Sequence, residues 1–145
     1  MKDLLYLKDE QIKEFIQLLY YAYRETFSDP KEVLSKKFFG PAHLRALNLI
    51  ERNPGINLGE LIFRLKVTKQ SLNRVIKDLN KLEIIFFKRD TKDTRIKHVF
   101  LNEKGEKIFN EIFAIQKKRI YNALLNSSSE EVINFDNVLK KIING

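Results

Sequence analysis

The segment TKQSLNRVIKDLNKLE, Thr68 to Glu83, separates its residues cleanly by face. Wound as a helix from Lys69, it places Gln70, Asn73, Arg74, Lys77 and Lys81 between about 0° and 140°, and Leu72, Val75, Ile76, Leu79 and Leu82 between about 220° and 340°. An apolar face of that width needs cover, and the two short helical patterns just before it can supply it. Gly40-Pro41 opens one, with Leu44, Leu47 and Ile50 as its stripe and Asn53-Pro54-Gly55 as its stop. The other starts near Asn57, with Glu60 as its capping-box partner, and carries Leu58, Leu61, Ile62 and Leu65. Lys66-Val67-Thr68 then forms a tight turn into the amphipathic segment, which makes the pair a helix-turn-helix.

The polar face is left free to enter a groove. Its chemistry suits base edges: Gln and Asn pair bidentately with adenine, Arg and Lys with guanine, and the first turns of such a helix reach deepest. Directly after it, Ile84 to Lys88 and Ile96 to Leu101 are rich in Ile, Phe and Val and read as two strands around a polar turn, Asp90 to Thr94. A helix-turn-helix followed by a hairpin is a winged helix. Lys88, Arg89, Lys92, Arg95 and Lys97 give the wing cations for phosphates or for the narrow minor groove. Asp93, two residues before Arg95, is placed to hold that guanidinium in a charge-assisted fork and aim it.

Charge follows the same division. The net charge is −2 over residues 1–30, +4 over 31–67, +5 over 68–101 and +1 over 102–145. A basic centre between near-neutral ends fits a polyanion-binding module on a different kind of scaffold. The ends are helical: apolar residues recur from Ile12 to Phe27, again from Ile108 to Leu124, and from Val132 to Ile142 behind a Ser128/Glu131 cap. A winged core has no need of these stripes, so they are expected either to pair with a second copy or to fold back on their own subunit.

With 145 residues, 43% of them hydrophobic, the chain is long enough for one domain and short for two. It has no cysteine, which excludes disulfides, thiolate zinc sites and thiol chemistry. No Gly-rich phosphate loop or catalytic constellation is present, and the two histidines, His43 and His98, are far apart in sequence. His43 is expected on the surface of its helix and His98 in a wing strand. The expectation is therefore a protein without enzymatic activity, metal or cofactor, soluble and cytoplasmic, with no membrane-spanning segment.

These residues resemble the MarR-type winged-helix transcriptional regulators over almost the whole chain. The resemblance runs through GPAHLRALNLIERNPGINLGELIFRLKVTKQSLNRVIKDLNKLEII and the wing KRDTKDTRIKHVFLNEKG. Its most specific marks are Arg89, Asp93 and Arg95 in an R-x-x-x-D-x-R arrangement, with Leu101 and Gly105 beyond. Glu83 stands where the family usually has glycine, Thr94 where it has a basic residue, and Asn102 where it has threonine. The resemblance implies a mainly α fold with a small β-hairpin wing, one domain over 1–145. About 38–101 would be the DNA-binding lobe, and about 9–30 and 103–143 the dimerisation helices. It implies a homodimer that reads a pseudo-palindromic operator, most often as a repressor. Thr68, Lys69, Gln70, Asn73, Arg74, Lys77 and Lys81 would form the recognition helix, and Lys88, Arg89, Lys92, Asp93, Arg95 and Lys97 the wing. Many relatives release DNA when a small anionic aromatic ligand fills a cleft, which Tyr20, Tyr21, Tyr23, Phe27, Phe38 and Phe39 would line here. The rival reading is an architectural or RNA-binding winged helix, in which shape and charge outweigh base readout.

Overall fold

The computed structural model describes residues 4–145. After a short turn of 3-10 helix, Leu5–Leu7, the chain forms α1 (Asp9–Ser28) and α2 (Lys31–Lys36). The winged lobe follows as α3 (Pro41–Arg52), β1 (Ile56–Asn57), α4 (Leu58–Leu65), α5 (Lys69–Lys81), β2 (Ile85–Arg89) and β3 (Lys97–Leu101). Two more helices, α6 (Glu103–Leu125) and α7 (Ser129–Asn144), complete the chain.

The stripes expected of α3, α4 and α5 meet in one core. Leu44, Leu47 and Ile50 of α3, Leu61 of α4 and Leu72 and Leu79 of α5 are all buried, each contributing roughly 2 kcal/mol of burial. Ile84, Ile85 and Val99 close the core from the hairpin, and Phe109 and Ile112 of α6 seal its far side. The sheet is antiparallel in the order β1-β3-β2, with Ile56 opposite Val99 and the hairpin in register from Ile85/Leu101 to Arg89/Lys97.

Two elements depart from the sequence reading. Lys31–Lys36, between the first two helical patterns, is a helix of six residues with only Leu34 buried, too short to show a period. The third strand, β1, also has no local signal: its partners Val99 and His98 come from the far end of the lobe. The box expected at α4 is half made. Asn57 Oδ1 accepts the Glu60 N–H at 2.8 Å, while the Glu60 carboxylate turns to Arg64 at 3.5 Å. The Ser128/Glu131 box at α7 closes in both directions.

Candidate nucleic-acid interface

The polar face of α5 is free. Thr68, Lys69, Gln70, Asn73, Arg74, Lys77 and Lys81 are all exposed, because the opposite face is fixed in the core. Thr68 accepts the Ser71 N–H at 3.0 Å and so starts the helix with its first side chains pointing out. Asp78, the one acid of α5, is drawn away from the cations: its Oδ2 lies 2.8 Å from His43 Nε2. His43 is not the surface residue expected. Its side chain is only 14% exposed, stacks on Phe39, and accepts the Gly40 N–H on Nδ1 to cap α3. A ring nitrogen that accepts leaves the proton on Nε2, the atom that faces Asp78.

Glu83 occupies the position usually held by glycine and adopts glycine's conformation, with φ 58. The Ile84 N–H reaches the Leu79 carbonyl and the Glu83 N–H the Asn80 carbonyl, a Schellman ending that requires a left-handed residue. Asn102 and Lys104 complete it by donating to the Glu83 and Leu82 carbonyls at 2.6 and 2.9 Å. Asn102 also caps α6 by accepting the Gly105 N–H at 2.8 Å. A Cβ on Gly105 would overlap the Ile84 carbonyl oxygen, which explains glycine there. Thus α5, the wing base and α6 share one rigid junction.

The wing tip is ordered by side-chain acceptors. Asp90 Oδ2 accepts the N–H groups of Lys92 and Asp93. Asp93 accepts the Arg95 N–H, its Nε on the same oxygen at 3.1 Å, and its Nη2 on the other at 3.2 Å. This fork holds the Asp93 carboxyl below its ordinary range, the Arg95 side chain first and its backbone N–H second. Yet the Arg95 side chain is 90% exposed and projects from the tip. Lys88, Arg89, Lys92 and Lys97 are exposed as well, with the Lys88 and Lys97 ammonium groups over phenylalanine rings of the hairpin. Among the described residues, Arg95 is the one lysine or arginine of the recognition face and wing with a carboxylate partner. Elsewhere single pairs form within a helix, Lys13 with Glu10 on α1, Arg64 with Glu60 on α4, Lys107 with Glu103 on α6 and Lys140 with Asp136 on α7.

Sequence reasoning passed over Asp90 and gave His98 a strand position without a role. Asp90 had a local signal, an acid three residues before Asp93 in a turn. His98 had none, since one of its two partners is Gly55, 43 residues away.

A cleft of about 460 Å³ lies between α1, α2 and the start of α3, lined by Tyr20, Tyr23, Phe27 and Phe39 together with Arg24 and Lys31. Phe38 does not line it. It is 92% exposed and left-handed at the end of α2, so its side chain is turned to solvent. Tyr21 lies outside the cleft too, beneath the Arg24 guanidinium.

The family model described as MarR family matches residues 39–96, from two residues before α3 to the last residue before β3. The HTH-type transcriptional regulator PetP of Rhodobacter capsulatus is 36% identical over 140 residues, covering 97% of this chain and 84% of the relative. The chain belongs to the MarR family. Solved MarR-like structures share its fold. The S. aureus MepR–DNA complex superimposes with a TM-score of 0.69 at 17% identity, over 90% of this chain and 96% of that one. NadR in complex with 4-hydroxyphenylacetate gives 0.77 at 17% identity, over 98% and 97%. The mainly α architecture with its β wing is thus the MarR fold, and the chain is a MarR-family transcriptional regulator.

Proposed function

We propose that the chain is a homodimeric repressor that places α5 in successive major grooves of a pseudo-palindromic duplex and the Arg95 wing tip in the flanking minor groove. The observation that carries this reading is the run of unpaired cations across α5 and the wing, next to Gln70 and Asn73. These cations lie on one exposed surface beside side chains suited to base edges, which is the arrangement that phosphate contact with base readout needs. The MepR neighbour is solved with DNA, which supports the same docking.

The cleft beside α1 is proposed as the site of a small anionic aromatic ligand that releases DNA. Aromatic walls with Arg24 and Lys31 at the rim suit such a molecule, and NadR is solved with one, 4-hydroxyphenylacetate. Among the described residues, no helix is long and apolar enough to cross a membrane.

Sequencing the duplex fragments that the purified protein selects from a random pool gives the operator and tests the reading directly. On that operator Asn73→Ala is expected to lose discrimination against scrambled duplex. Lys81→Ala should weaken all duplexes alike and lower the salt slope by about 1. Equal losses by Asn73→Ala on specific and scrambled duplexes would replace base readout by the architectural mode.

A further inference from the structure

One histidine joins the body of the lobe to the wing tip. His98 sits on β3 between two acceptors, with Nδ1 2.8 Å from the Gly55 carbonyl oxygen and Nε2 2.9 Å from Asp90 Oδ1. Carbonyl and carboxylate oxygens only accept, so both contacts are hydrogen bonds only when each ring nitrogen carries hydrogen, in the imidazolium form. The other Asp90 oxygen gathers the Lys92 and Asp93 N–H groups at 3.0 and 2.9 Å, which folds the turn that presents Asp93 to Arg95. Gly55 itself is fixed, since its N–H donates to the Val99 carbonyl at 3.0 Å.

We propose that His98 and Asp90 are positioning residues for Arg95, forming a relay from Gly55 through the imidazolium and the Asp90 turn to the Asp93 fork. The inference rests on the reading of the wing as a DNA contact. Untied, the tip is a short exposed loop whose ordering cost falls on DNA binding; tied, that cost is met in folding.

The charges around the ring make the relay pH-sensitive. The Asp90 hydrogen bond first, then the Gly55 carbonyl, raises the His98 pKa above its ordinary 6.5. Hydrogen bonds from His98, then from the Asp93 and Lys92 N–H groups, lower that of Asp90. Lys88, directly opposite His98 on β2, turns its ammonium over the Phe86 and Phe100 rings. The β1 residue opposite is the uncharged Asn57, and on α4 Glu60 and Arg64 pair with each other. Asp93 is taken by Arg95, which leaves Asp90 as the charge that governs the ring. A raised histidine pKa stabilises the tied state fully below the unfolded value, and the benefit is lost as pH rises through the raised one. The lowered Asp90 pKa sets the acid limit in the opposite sense.

The test compares the wild-type chain with Asp90→Asn, whose amide oxygen still accepts the turn N–H groups but carries no charge. At about pH 6 the wild type should bind the operator about fivefold more tightly, and by about pH 9 the two should converge as the ring loses its proton. A gap that does not change with pH overturns the relay, because a purely structural defect would not follow the ring. In DNA-free protein, NMR should place the His98 titration above the ordinary histidine value and move it down in Asp90→Asn. The Arg95 Nε–H should lose exchange protection in the same variant. Unchanged protection, or a wild-type His98 that titrates at or below the ordinary value, also overturns it. Should the wild type bind no duplex at any pH, the DNA reading falls, and the Arg95 protection then decides the relay alone.

Discussion

Phe38, Lys66 and Glu83 each end a helix in the left-handed region without being glycine. In all three the next residue's N–H reaches back to the carbonyl five positions earlier, so the turn dictates the conformation and the side chain tolerates it. That tolerance costs roughly 1–2 kcal/mol for an L residue. At Glu83 the Asn102 amide offsets part of it by donating to the Glu83 carbonyl. The two positions where this chain departs from its family around the α5 end therefore touch each other. Glu83→Gly is expected to raise unfolding stability by about 1 kcal/mol in a thermal melt, by relieving the strain. No gain would show that the surrounding bonds already offset it in full. The Asp93 carboxylate poses the opposite question, because it sits among cations meant for phosphate. Simple Coulomb reasoning expects Asp93→Ala to tighten DNA binding. The fork on Arg95 argues the reverse: without it, a side chain that is almost fully exposed must be ordered at the moment of binding. Affinity is expected to fall several-fold for Asp93→Ala, with Arg95→Lys intermediate between the wild type and Arg95→Ala. A tighter complex for Asp93→Ala in titrations at fixed salt would reduce the tip to a charged turn.

At the junction of α5, the hairpin and α6 the elements approach closely enough to exclude a single methyl group. Ile84 leaves α5, enters the core, and presents its carbonyl both to the Asn102 N–H at 3.1 Å and to the bare face of Gly105. A methyl group on Gly105 meets the Ile84 backbone first and the Leu101 Cβ next, neither of them the far end of a flexible side chain. Gly105→Ala is accordingly expected to cost about 2 kcal/mol in denaturant unfolding and to weaken DNA binding by shifting the wing base. A neutral result would mean that α6 slides freely on the hairpin. This junction also shows how far the sequence was legible. Helices α3 and α5 could be read because their faces were segregated and their ends punctuated by proline, glycine or threonine. The hairpin could be read because two β-prone runs flanked a charged turn. Strand β1, the His98 relay and the bond between His43 and Asp78 depend on partners distant in the chain, and no local pattern announces them. Phe38 was misplaced because its aromatic type suggested burial, while the backbone at the end of α2 turned it outward.

The whole chain carries more apolar surface than one subunit can use. Helices α1 and α7 contribute no buried residue, yet Phe15, Ile16 and Leu19 of α1 and Ile133, Phe135 and Val138 of α7 are exposed, and Phe113, Ile120 and Tyr121 of α6 join them. Three amphipathic helices with open apolar faces beside a basic lobe fit an intertwined pair of subunits, which would also set two recognition helices to the two-fold symmetry of an operator. Phe15→Glu and Phe135→Glu separate this arrangement from helices that simply stay solvated. In an isolated subunit both positions face water, so a carboxylate there changes folding stability by no more than about 0.5 kcal/mol. In a dimer each substitution places a charge, and its symmetry mate, within an apolar interface. Light scattering is expected to give twice 17.2 kDa for the wild type and a smaller mass for the variants. Operator affinity should drop on the order of a hundredfold as the second recognition helix loses its effective concentration. The binding surface itself would be untouched, so the variants should still protect a single half-site at high protein concentration. A wild-type chain that is monomeric at micromolar concentration and still leaves a two-fold footprint would refute the dimer and return the end helices to their own subunit.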